Sequence, residues 1–125
     1  MSLRILVIED EADLRLSLGL ALTVAGHEVQ EAATGTDGLR RLEGAPGSGA
    51  LPDAVLLDLR LPDLDGWQVL AELRNRSLLP ALPVIVGSAD ADPEARRRAL
   101  AVGCTGYLVK PFESEQLLAL LRTLE

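Results

Sequence analysis

Four short apolar runs, at residues 3–8, 53–58, 82–88 and 106–110, and a weaker one at 27–32, alternate along the chain with segments of helical periodicity. No hairpin turn joins any two of the runs directly, so neighbouring strands must be linked through the intervening helices. That leaves an α/β fold of right-handed strand–helix–strand units, with a parallel sheet covered on both faces. Leu14, Leu18, Ala21, Leu22 and Ala25 predict a first helix facing the core through these residues and stopped by Gly26. Residues 35–43 predict a short second helix, and Val69, Leu70 and Leu73 a third that runs to about Arg76. Pro93 opens a fourth, with Ala95, Ala99 and Val102 inward and Arg96, Arg97 and Arg98 toward solvent. Leu117, Leu120, Leu121 and Leu124 space a fifth. The Gly/Pro/Ser-rich stretch at residues 44–50 is too short for a domain linker and reads as a loop.

At 125 residues the chain is expected to form a single domain over its whole length, large enough to hold one core without metal or disulfide. Met1-Ser2-Leu3 and Glu125 fit remnants of an expression vector, with the natural chain continuing past residue 124. One cysteine, Cys104, excludes an internal disulfide and a cysteine-based zinc site. Nineteen acidic against twelve basic residues, a net charge of −7, oppose direct nucleic-acid binding. No apolar run approaches the roughly 20 residues of a membrane span, and no signal peptide opens the chain. The expected location is cytoplasmic.

In an open parallel sheet, ligands bind beyond the carboxyl ends of the strands. The first run ends in Glu9-Asp10, the third in Asp58, the fourth in Ser88 and the fifth in Lys110. Carboxylates brought together repel, and a hard divalent cation relieves them; oxygen-only ligands with few protein donors suit Mg²⁺. Asp58 could then act as a nucleophile toward phosphorus, with Lys110 and Ser88 supplying charge and a hydrogen bond to the phosphoryl oxygens. Lys110 is the one lysine beside eleven arginines, so the bias toward arginine was overruled where a compact, flexible point charge is needed.

The motifs Ile-Leu-Val-Ile-Glu9-Asp10-Glu11, Leu-Leu-Asp58-Leu-Arg-Leu-Pro62-Asp-Leu-Asp-Gly66, Val-Ile-Val-Gly-Ser88-Ala and Gly106-Tyr107-Leu-Val-Lys110-Pro111-Phe112 occur in this order across the whole chain. Together they resemble the receiver domain of bacterial two-component response regulators. The resemblance implies a flavodoxin-like doubly wound (βα)5 sandwich with strand order 2-1-3-4-5. It implies Asp58 as phosphoacceptor, taking its phosphoryl group from the phosphohistidine of a sensor histidine kinase or phosphotransfer protein. Mg²⁺ would be bound by Asp10 and Asp58 directly, by Glu9 through a water, and by the Arg60 backbone carbonyl. Ser88 and Lys110 would hold the phosphoryl oxygens, and the Lys110–Pro111 bond would be cis. Ser88 and Tyr107 would form the switch, reshaping the face of the fourth helix, fifth strand and fifth helix for a downstream effector domain or protein. The domain would be no enzyme in its own right, although it would assist its own phosphotransfer and dephosphorylation. It would act as a monomer or a phosphorylation-dependent dimer, with no nucleic acid or membrane bound directly.

Other residues carry plainer expectations. Trp67 and Phe112 read as core or rim packing, His27 as a surface turn residue, and Gly87 as a small residue that loosens the switch loop. Arg60 and Asp90, each two residues past a site residue, are expected to pair across the pocket and shield it from water. Gly103-Cys104-Thr105-Gly106 stands where winged-helix relatives often carry an Asp-Asp pair, which weakens the case for their symmetric dimer. Two competing readings are a receiver-like module that works unphosphorylated and a Mg²⁺-dependent toprim-type nucleic-acid enzyme using Glu9, Asp63 and Asp65.

Overall fold

The computed structural model describes residues 2–44 and 49–125. Residues 45–48 of the loop expected at 44–50, and Met1, lie outside the described residues. Five strands alternate with five helices: β1 (Arg4–Ile8), α1 (Ala12–Val24), β2 (Glu28–Ala32), α2 (Gly35–Arg41), β3 (Ala54–Asp58), α3 (Gly66–Asn75), β4 (Val84–Ser88), α4 (Pro93–Val102), β5 (Gly106–Val109) and α5 (Ser114–Arg122). All pairings are parallel and the strand order is 2-1-3-4-5, the flavodoxin-like arrangement. Among the described residues no helix is long and apolar enough to cross a membrane.

Alternation along the strands divides the core in two. Leu6, Ile8, Val55, Leu57, Val84 and Val86 face α2, α3 and α4, where Leu42, Val69, Leu70, Leu73 and Ala99 meet them. Ile5, Val7, Ala54, Leu56, Ile85 and Leu108 face α1 and α5, against Leu18, Leu22, Leu117 and Leu121. Burial on both faces explains why these strands read as continuous apolar runs. α4 is lightly held by burial, with Ala99 its one fully buried residue. The Arg98 guanidinium stacks over the Trp67 ring of α3 at 4.0 Å, adding about 0.5–1 kcal/mol. Trp67 thus packs at the rim as expected, while two arginines of the 96–98 run have partners rather than solvent alone, Arg98 on Trp67 and Arg97 on Glu94.

Two expectations need correction. His27 is buried, because the Leu3 N–H, just before the ladder begins, donates to its Nδ1 at 3.1 Å; Nε2 lies 4.0 Å from Glu125 Oε1. In α1 the apolar residues run all round the helix. Leu18 and Leu22 are buried as expected and Leu14 and Ala21 partly so, but Ala25 is exposed, as are Leu16, Leu20 and Val24 on the opposite side.

Candidate functional site

β1, β3, β4 and β5 are consecutive neighbours in the sheet, so the polar residues at their ends form one contiguous group. Glu9 and Asp10 follow β1, Asp58 ends β3, Ser88 ends β4, and Lys110 follows β5. The group lies beside the β1–β3 boundary, where strand order reverses. Lys110 Nζ lies 2.6 Å from Glu9 Oε1 and 3.2 Å from Asp58 Oδ2, joining the end of β5 to the ends of β3 and β1 across β4. Backbone donors take the remaining carboxylate oxygens: Glu11 N–H donates to Glu9 Oε2 at 3.2 Å, and Arg60 N–H to Asp58 Oδ1 at 3.1 Å. Glu9 and Asp58 are buried and Asp10 is exposed. One oxygen from each lies within 4.8 Å of the others, a cluster of three hard donors that fits a small divalent cation.

One ammonium cannot neutralise three carboxylates. Burial, together with the neighbouring Asp58, pushes the Glu9 carboxyl up to about 7, although the Lys110 hydrogen bond pulls the other way. For Lys110, burial favours the neutral amine, but the Glu9 hydrogen bond and the charges of Asp58 and Glu9 outweigh it and raise the pKa. The raised Glu9 value has a consequence for stability. Its contribution is fully present below the ordinary value of 4.5 and is lost as pH rises to about 7, because the unfolded chain ionises first. In metal-free buffer, the stability of wild type relative to Glu9→Gln is expected to fall across this window by on the order of 2–3 kcal/mol. Urea titrations of both proteins at several pH values would measure the difference, and parallel curves would contradict it.

Ser88 and Tyr107 both bond the main chain of Asp90, on the two peptide units that flank its Cα. Asp90 N–H donates to Ser88 Oγ at 3.1 Å, and the buried Tyr107 hydroxyl donates to Asp90 O at 2.7 Å. Lys110 N–H donates to Ser88 O at 2.7 Å, which ties the end of β5 to the end of β4. The Lys110–Pro111 bond is cis, as is Leu79–Pro80, which nothing in the sequence singled out.

The expected Arg60–Asp90 ion pair is absent: among the described residues none joins them, and both side chains are exposed. Asp90 Oδ1 instead accepts from Asp92 N–H at 2.9 Å, a turn leading into α4. Gly87 is buried within β4, and a Cβ there would lie 3.2 Å from the Phe112 ring. Its small size is accounted for by the seating of Phe112.

Asp63 and Asp65 do not join the cluster. Asp63 accepts from Gly35 and Thr36 N–H at 2.8 and 2.9 Å, and hydrogen bonds from Thr36 hold its carboxyl well below the usual range. Asp65 caps α3, accepting from Trp67 N–H at 2.6 Å in a capping box completed by Gln68. With both committed to helix starts, the toprim-type reading loses its metal ligands.

The family model for the response regulator receiver domain matches residues 5–122. The regulatory protein KdpE of Mycobacterium tuberculosis is 43% identical over 118 residues, covering 94% of this chain and 49% of that protein. The response regulator MprA of Mycobacterium ulcerans is 37% identical over 124 residues, covering 99% and 50% respectively. The chain thus spans about half the length of the curated relatives it matches. Among solved structures, the chemotaxis response regulator CheY4 of Vibrio cholerae superposes with a TM-score of 0.85 at 29% identity, with both chains covered completely. The beryllofluoride-activated DrrB receiver domain gives 0.80 at 26% identity, covering 99% of this chain and 97% of that one. By sequence, sheet order and the convergence of strand ends, this chain belongs to the response regulator receiver domain family.

Proposed function

We propose that residues 1–125 are a single receiver domain in which Asp58 accepts a phosphoryl group from a phosphohistidine of a sensor histidine kinase or phosphotransfer protein. The observation that carries this is Lys110 Nζ seated between Glu9 and Asp58, 2.6 and 3.2 Å away, in a buried carboxylate pocket. In the transfer an Asp58 carboxylate oxygen forms the new P–O bond while the P–N bond to the donor imidazole breaks. Asp58 is oriented for this by the Arg60 N–H and Lys110. The Lys110 ammonium offsets the charge on the phosphoryl oxygens, which supplies most of the catalysis in such transfers. Ser88 Oγ already accepts from Asp90, and its own O–H remains to donate to a phosphoryl oxygen. Glu9 through a water, Asp10, Asp58 and the Arg60 carbonyl would hold Mg²⁺, which when bound neutralises charge on the phosphoryl group.

A phosphoryl group drawing on Ser88 would pull the Ala89–Asp90 peptide through the Asp90 N–H, while Tyr107 holds the carbonyl of the next peptide, Asp90–Ala91. Asp90, held at its N–H by Ser88 and at its carbonyl by Tyr107, would couple the pocket to the face of α4, β5 and α5, where Leu100 and Val109 are 43% and 39% exposed. Output would pass from this face to an effector domain or protein, as a monomer or through dimerisation on phosphorylation. The setting would be cytoplasmic, and the net charge of −7 assigns any nucleic-acid contact to another domain. The same residues would assist loss of the phosphoryl group to water.

Incubation with Mg²⁺ and acetyl phosphate, followed by intact mass, tests the assignment. One acid-stable, alkali-labile phosphoryl adduct is expected in wild type and none in Asp58→Asn. Absence of an adduct in wild type, together with no binding of beryllofluoride, would overturn it in favour of a module that works unphosphorylated.

A further inference from the structure

Arg15 stands in the first turn of α1, the end of a helix at which a cation is electrostatically disfavoured. Its side chain is 21% exposed and the guanidinium is turned inward. Nη1 donates to the backbone carbonyls of Glu9 at 2.7 Å and Asp10 at 3.4 Å, while Nε lies 3.4 Å from Glu31 Oε1 near the end of β2. Glu31 is itself seated against α1: a Cβ at the buried Gly19 would lie 3.6 Å from its Oε2, so a longer side chain there would displace the carboxylate. One guanidinium thus grips the main chain of both consecutive acidic residues of the cluster, and a carboxylate outside the pocket holds it from behind.

We infer that Arg15 is a positioning residue for a divalent cation at Glu9, Asp10 and Asp58. This rests on the reading of that pocket as a Mg²⁺ site. Asp10 is the exposed member of the cluster, and its position depends on the turn between β1 and α1. Arg15 braces that turn through two carbonyls, as groups behind a metal's direct ligands commonly do. The Glu31 anchor has a second consequence: it holds the guanidinium on the main chain, away from the acidic side chains, where the cation belongs.

The sign of the effect separates bracing from bulk electrostatics. If Arg15 acted only as a nearby positive charge, its removal would tighten Mg²⁺ binding. Bracing requires the opposite. Calorimetric Mg²⁺ titrations at fixed ionic strength on wild type, Arg15→Ala, Arg15→Lys and Glu31→Gln decide between them. Arg15→Ala is expected to weaken binding roughly tenfold. Lysine, which keeps the charge but lacks the fork, should not restore it. Glu31→Gln should weaken binding by less. Thermal unfolding supplies a readout that lost fold stability alone would leave unchanged: the rise in Tm produced by a fixed Mg²⁺ concentration should shrink in the Arg15 variants. Unchanged or tighter binding in Arg15→Ala, or full rescue by lysine, would overturn the inference. Should the alanine variant fail to fold, Arg15→Lys and Glu31→Gln carry the test. Wild type that binds no Mg²⁺ would overturn the pocket reading itself, and the bracing role with it.

Discussion

Lys110→Met is expected to slow phosphoryl uptake from acetyl phosphate at least a hundredfold, the scale on which a single charged donor aimed at a developing transition state acts. Mg²⁺ affinity should move the other way. The ammonium lies 2.6 Å from Glu9 and 3.2 Å from Asp58, so removing it takes a positive charge from beside the cluster that would hold the cation. Lys110→Arg should not rescue phosphorylation, because a planar guanidinium cannot occupy a seat shaped for one nitrogen between two carboxylates. Stability should fall as well. Removing one partner of a buried ion pair costs about 3–5 kcal/mol, but here Lys110 is 20% exposed and Glu9 can take up a proton, which brings the expectation to about 2 kcal/mol above pH 7. Without Lys110 to oppose it, the Glu9 carboxyl would rise further, so stability would be lost over a window displaced to higher pH. Intact-mass time courses, Mg²⁺ titrations and urea unfolding at pH 6 and 8 measure the three effects. Uptake within tenfold of wild type would contradict the role given to Lys110.

The strands and the pocket were legible in the sequence for the same reason. A parallel strand buried on both faces is written as a continuous apolar run, so the residue that breaks the run marks the strand's carboxyl end. Asp58, Ser88 and the Glu9-Asp10 pair stand out by that contrast. Arg15 and Glu31 do not, because their work is done through backbone carbonyls and through a contact between α1 and β2 that no local pattern encodes. Asp63 was misleading for a related reason: it serves α2, some 28 residues earlier, and only the tertiary fold connects them. Asp65 with Gln68 three residues on is a local capping signature that the sequence did offer. His27 shows the limit of polarity as a guide, since a buried imidazole can be the acceptor that an unpaired N–H at a sheet margin requires. In α1, periodicity could not separate inside from outside because apolar residues occupy both sides of the helix.

Gly66→Ala is expected to destabilise the fold by about 2–4 kcal/mol, out of proportion to one methyl group. A Cβ at Gly66 would lie 2.4 Å from Leu59 Cα and 2.9 Å from the Asp58 carbonyl oxygen, and both obstacles are main chain. β3 cannot yield, being paired on both sides, to β1 and to β4. Relief must come from the start of α3, breaking the Gly66 N–H bond to Leu59 O at 2.8 Å and disturbing the Asp65 cap. Behind that turn Val69 and Leu70 are fully buried, so α3 can withdraw only by opening the core. Gly87→Ala provides the contrast. There the nearest obstacle, at 3.2 Å, is the ring of the half-buried Phe112, which can tilt, and alanine costs less chain entropy than glycine in a strand. Its expected cost is under about 1 kcal/mol. Urea unfolding of both variants with unchanged m-values would test the pair, and equal losses would show that main-chain contact at Gly66 is not what sets the cost. Because the obstructed residues are Asp58 and its neighbour, folded Gly66→Ala should also take up phosphoryl groups more slowly than Gly87→Ala. The glycine that lets α3 approach β3 would then be a condition of placing the phosphoacceptor as well as of packing the core.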